Sequence, residues 1–94
     1  MGVVCTVRIP HPLAKVQEVE ATITDEMAQI MAAAQKYMTG HRRVTDGAEV
    51  LDIDTYASRE DYDAFLGEAG AAVKKYGELL GARDTLYEDI PGGD

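Results

Sequence analysis

The stretch Glu49-Val-Leu-Asp-Ile-Asp-Thr-Tyr-Ala-Ser58 decides the fold of this 94-residue chain. Leu51, Ile53 and Thr55 alternate with Val50, Asp52, Asp54 and Tyr56. A period of two makes a strand with two unlike faces, here one largely apolar and one carrying two acids. Ser58 stops the strand and caps a helix. Asp61 stands at the capping-box spacing, and Glu60 and Asp61 both suit the positive end of the helix.

Working outward, Thr45-Asp-Gly47 precedes this strand and is preceded in turn by a strand-like run, Tyr37 to Val44. Asp-Gly between two such runs is a hairpin signal. In the earlier strand Thr39, His41 and Arg43 share one face, and Met38, Gly40, Arg42 and Val44 the other. Downstream, Arg59 to Leu80 is predicted helical from the stripe Tyr62, Phe65, Leu66, Ala69, Val73, Tyr76 and Leu80, with Gly81 as its C-cap residue. Asp84 to Ile90 is the last strand.

At the other end, Gly2 to Ile9 alternates as a strand, with Val3, Cys5, Val7 and Ile9 on one face and Val4, Thr6 and Arg8 on the other. Pro10-His-Pro12 ends it, because proline lacks the donor that a ladder needs. Leu13 to about Lys36 has helical spacing, its inward stripe running through Leu13, Val16, Val19 or Glu20, Ile23, Met27 and Ile30, with Glu18, Glu20, Asp25 and Glu26 mostly on the outer face. The β-branched Thr22-Ile-Thr24 is a weak point, so the segment is one long helix or two abutting ones, Thr24 capping the second. Met27, Met31 and Met38 fit either a soft binding wall or plain core, and their spacing favours core.

Strand, helix, strand, strand, helix, strand is the split βαβ order of a ferredoxin-like α+β domain, a four-stranded antiparallel sheet with helices on one face. The domain is expected over residues 1–90, with 91–94 as a flexible tail. A domain of this size buries about 60–65% of its unfolded surface, so a partner covering the bare sheet face would help it. That bare face is expected to carry Val4, Thr6, Arg8, His41, Arg43, Val50, Asp52, Asp54 and Tyr56, and two such faces related by a two-fold axis would enclose a pocket in each half.

The net charge of −8 disfavours nucleic acid and anionic membranes. No apolar run reaches the ~18 residues of a membrane span, and the first residues do not read as a signal peptide. A lone Cys5 makes no internal disulfide and suits a reducing cytoplasm. His41 is the best acid or base, its ordinary pKa of about 6.5 lying near working pH. Asp52 and Asp54, about 7 Å apart on one face, could orient it. Arg8 and Arg43 could hold an anionic oxygen of a substrate or simply neutralise the two acids. Tyr56 would touch a ligand or make a dimer contact, and Thr6 would touch a ligand. Two acids without further oxygens make a weak metal site, so no metal is expected, and no cofactor-binding motif is present.

The run Asp52-Ile-Asp-Thr-Tyr-Ala-Ser-Arg-Glu60, then Tyr62 and Phe65, resembles a strand-to-helix segment of the dimeric α/β-barrel superfamily, which includes the antibiotic-biosynthesis-monooxygenase-like proteins. There an aromatic, often Trp, precedes Ser-x-Glu and an aromatic-rich helix; here Tyr56 takes that place. The chain has no Trp, and Leu66, Gly67 and Glu68 stand where many such proteins carry a His. The resemblance implies a homodimer that binds a small apolar or aromatic molecule between sheet and helices, as a cofactor-independent monooxygenase or isomerase-type enzyme. The alternative is a non-catalytic dimer whose polar sheet face is only its interface.

Overall fold

The computed structural model describes residues 1–93, so the end of the expected tail, Asp94, lies outside the described residues. Four strands, β1 (Val3–Ile9), β2 (Met38–Thr45), β3 (Val50–Tyr56) and β4 (Arg83–Glu88), form one antiparallel sheet in the order β2-β3-β1-β4. Three helices, α1 (Leu13–Glu20), α2 (Thr24–Tyr37) and α3 (Arg59–Leu80), complete the ferredoxin-like α+β fold.

The signals around β3 act as their chemistry requires. The Ser58 side chain accepts a hydrogen bond from the Asp61 backbone N–H at 3.1 Å, and Gly81 takes the left-handed conformation, φ 64°, that ends α3. The β2–β3 connection is longer than a two-residue turn. Thr45 pairs with Val50, and the Asp46 carboxylate accepts the backbone N–H groups of Ala48 and Glu49, each at 2.9 Å.

The first helical segment is two helices. Ile23, at φ −126° and ψ 51°, leaves the helical region, and the Thr22 hydroxyl donates to the Val19 carbonyl at 2.7 Å. Neither Thr24 nor any other side chain caps α2; the N-cap residue is Ile23. The break turns Ile23 into the core beside Val16, Ile9, Val50, Tyr76 and Leu80. Ile9, Val16, Val50 and Leu80 are fully buried, each worth about 1.5–3 kcal/mol. A second cluster joins Val3, Cys5, Ala33, Tyr56, Phe65 and Ala69.

For β2 and β3 the face that meets the helices is opposite to expectation, while for β1 it is as expected. Residues directly opposed across a ladder share a face, and Cys5 pairs with Asp54 and Val7 with Asp52. Cys5 and Val7 belong to the face that packs on the helices, so Asp52 and Asp54 lie there too, buried at 6% and 7% exposure. His41 and Arg43, opposed to Asp54 and Asp52, follow them, as does Tyr56. Thr6 and Arg8, opposed to Ile53 and Leu51, remain on the far side of the sheet. An irregularity between Met38 and Gly40 sets Met38 opposite Tyr56, so it also packs on the inner core, contrary to simple alternation.

Candidate functional site

The inner face of the sheet is not filled everywhere by helix side chains. A cavity of about 760 Å³ lies between the sheet and α2 and α3, within the size range of small-molecule sites. Its floor includes Cys5, Val7, Asp54 and Asp84; Ile30, Tyr62 and Phe65 are among the helix residues above. Met27, Met31 and Met38 line it as well, so these methionines are more than core filling, and Met31 is 59% exposed. Its apolar walls come from the α2 and α3 stripes, and its polar groups from the β3 alternation.

Two polar clusters stand on that floor. In the first, His41 Nδ1 lies 2.5 Å from Asp54 Oδ1. The His41 side chain is 53% exposed and that of Asp54 only 10%, which places the imidazole at the rim with a buried carboxylate behind it. Burial raises the Asp54 carboxyl above its ordinary range, while the His41 hydrogen bond pulls the other way. With Nδ1–H donating to Asp54, Nε2 keeps its lone pair and can accept a proton.

In the second cluster, Arg43 lies between two carboxylates. Its Nε and Nη2 donate to Asp52 at 2.7 and 3.0 Å, and its Nη1 and Nη2 donate to Glu20 at 3.3 and 2.9 Å. The Tyr76 hydroxyl donates to Glu20 at 2.8 Å and lies 3.2 Å from Arg43 Nη2. Hydrogen bonding to Asp52 is the chief cause holding the Arg43 guanidinium charged, against the opposing effect of burial. Two bidentate partners occupy this guanidinium, so it has little left to offer a substrate oxygen.

The predicted site residues therefore separate. His41, Asp52, Asp54, Arg43 and Tyr56 all line the cavity. Arg8 does not; on the outer face it pairs with Glu49. Thr6 shares that face. Tyr56 is 3% exposed and stacks edge-on against Tyr62, with ring centroids 5.2 Å apart, and against Phe65 at 5.7 Å. Its hydroxyl makes no hydrogen bond among the described residues, and burial followed by the nearby Asp54 charge drives its pKa well up. Cys5 is buried, and its thiol is pushed up to about 11, first by burial and then by the charges of Asp84 and Asp54.

Two cavity residues were not among the predicted site residues. Glu20 stands seven residues after Leu13 and four after Val16, on the inward stripe of α1, and that spacing was the available signal. Asp84 is opposed to Val7, so it shares the inner face. Its residue surface is exposed at the sheet margin, yet packing around the carboxyl desolvates it enough to raise its pKa. Among the described residues no group of three or more His, Cys, Asp or Glu side chains is placed to hold a metal ion, and no helix is long and apolar enough to cross a membrane.

No family model matches this sequence, and no curated protein matches it. Solved structures do resemble its fold. Rv0793 from Mycobacterium tuberculosis is 21% identical, with a TM-score of 0.66 over 96% of each chain. SnoaB, a cofactor-independent oxygenase from Streptomyces nogalater, is 11% identical, with a TM-score of 0.61 over 95% of this chain and 93% of that one. A conserved protein from Methanosarcina mazei Go1 is 10% identical, with a TM-score of 0.65 over 96% and 94%. What these structures share with the chain is the ferredoxin-like fold.

Proposed function

We propose that the chain is a small cytoplasmic homodimer that binds an apolar or aromatic molecule in the cavity between sheet and helices and removes a proton from it, as a cofactor-independent monooxygenase or an isomerase-type enzyme. The observation that carries this reading is the His41–Asp54 pair, 2.5 Å apart at the rim of a 760 Å³ cavity. Asp54 fixes the ring and its tautomer, and Nε2 takes the proton as the substrate anion forms. Asp52 and Arg43 hold the floor on which that pair stands. The fold shared with a protein described as a cofactor-independent oxygenase supports the reaction class.

The dimer rests on the outer sheet face. Val4, Val44, Leu51 and Ile53 are only half-buried there, and the helices lie on the other side. The same face favours the second reading, a non-catalytic dimer. Arg43 and Asp52 close their ion pair within one chain, so they do not serve that reading as a registry device across a two-fold axis.

The test uses oxygen uptake and proton exchange with enolisable and phenolic aromatic compounds, alongside sedimentation. His41→Ala should lower turnover by about 10²–10⁴-fold, and Asp54→Asn should lower it as well, both with the dimer intact. A stable dimer that turns over and binds none of these compounds would favour the second reading.

A further inference from the structure

The strands divide the cavity floor unevenly. On its inner face the register sets Arg43 opposite Asp52 and Asp52 opposite Val7; on the next rung it sets His41 opposite Asp54 and Asp54 opposite Cys5. The polar side chains thus stand on β2 and β3, while β1 contributes Val7 and the buried Cys5.

The charged groups inside are already answered by the chain itself. Arg43 is shared between Asp52 and Glu20, Tyr76 donates to Glu20, and His41 meets Asp54. Among the described residues no buried side-chain nitrogen or oxygen lacks a hydrogen-bond partner. The unbonded Tyr56 hydroxyl is therefore not fully enclosed, and Tyr56 follows Asp54 by two residues on the same strand face, in the polar half. The charged residues left over, Lys74, Glu78 and Asp84, are exposed at the cavity margin, where an ion pair contributes little. Above the floor, Ile30, Ala34, Leu66 and Val73 carry no hydrogen-bonding group, and the backbone groups of α2 and α3 bond to one another. A polar atom pressed against those walls loses water and gains no partner.

We propose that the ligand of this cavity is uncharged and polar at one end only, with a hydroxyl or enolisable carbonyl at His41 and the rest of the molecule apolar against α2 and α3. An anion would face the Asp54 and Asp52 carboxylates. A cation could reach them only by breaking the pairs that they make with His41 and Arg43. Met27, Met31 and Met38 line the same cavity, and their unbranched side chains let the apolar body vary in outline. This inference rests on the cavity being a ligand site and adds where the ligand carries its polarity.

Naphthalene derivatives test it, and the chain has no Trp, so their fluorescence reads binding directly. At about neutral pH and physiological salt, naphthols are uncharged and long-range attraction is screened. There 2-naphthol should bind at least about tenfold tighter than 2-naphthoate or 2-naphthylmethylammonium. The isomers naphthalene-2,3-diol and naphthalene-2,6-diol carry the same groups, at one end and at both ends. The first should bind at least about tenfold tighter than the second, a comparison that needs no variant. His41→Ala should weaken 2-naphthol by about threefold to tenfold and leave 2-methylnaphthalene unchanged, with a melting curve to establish that the variant is folded. A 2,6-diol that binds as tightly as its isomer would overturn the inference. So would either ion binding as tightly as 2-naphthol, or 2-naphthol binding that ignores His41→Ala. In each of these cases the ligand-site reading stands. If no probe binds, both fail.

Discussion

Arg43→Met is the most informative single change for stability. It removes the cation from two bidentate pairs and leaves the Asp52 side chain, 8% exposed, and the Glu20 side chain, 17% exposed, facing one another. Removing one partner of a buried ion pair costs about 3–5 kcal/mol, because the remaining charge stays desolvated. Arg43 itself keeps 28% of its side chain open, so water can partly replace it and the lower end applies, about 3 kcal/mol. A chain of this length has a total stability of about 5–14 kcal/mol, and about 3 kcal/mol should lower its melting temperature by ~12–24 °C. The loss must also depend on pH. Without the guanidinium, the two carboxylates repel one another across the folded site, so the loss should be larger at neutral pH, where both are charged, than at acid pH. Urea melts of wild type and variant from about pH 4 to pH 8 read this directly. A pH-independent difference below about 1 kcal/mol would refute the reasoning, since that is the magnitude of a solvated surface pair.

Two further measurements follow from the buried groups. The Cys5 thiol, pushed up to about 11 from an ordinary 9.0, should hold about a hundredfold less thiolate than a free thiol at pH 8; iodoacetamide should label it slowly in the folded chain, rapidly in urea, and ever faster as pH climbs towards 11. Asp84, raised by burial, stabilises the fold only while protonated: its contribution is full below the ordinary carboxylate range and is lost as pH rises through its folded value. Wild type should therefore lose stability relative to Asp84→Asn across the range just above about pH 4, and equal slopes for the two proteins in urea melts would count against that.

The strand at Glu49–Ala57 was legible because alternation is a local property. So were the Ser58 cap, the Gly81 stop and the antiparallel order, each of which needs only neighbouring residues. The weak point at Thr22-Ile-Thr24 was legible as well, and the chain does break there. The site was legible only as a set of residues. His41, Arg43, Asp52 and Asp54 share a face because of strand register, and the hairpin already implied it. Glu20 and Asp84 come from α1 and β4, distant in sequence, and join the site only through packing.

What the sequence by itself determined is the alternation: that Asp52 and Asp54 would lie together on one side and Leu51 and Ile53 on the other. Which side would meet the helices was decided by the tertiary structure. Apolar content argued for burying Leu51 and Ile53, but β3 lies between β1 and β2, and the Cys5–Asp54 and Val7–Asp52 pairings oblige it to follow β1. The inward-facing acids are tolerated because Arg43, Glu20 and Tyr76 meet Asp52 in one network and His41 meets Asp54. A local period fixes relative faces, and only contacts between distant segments can supply the partners that make a charged face tolerable inside.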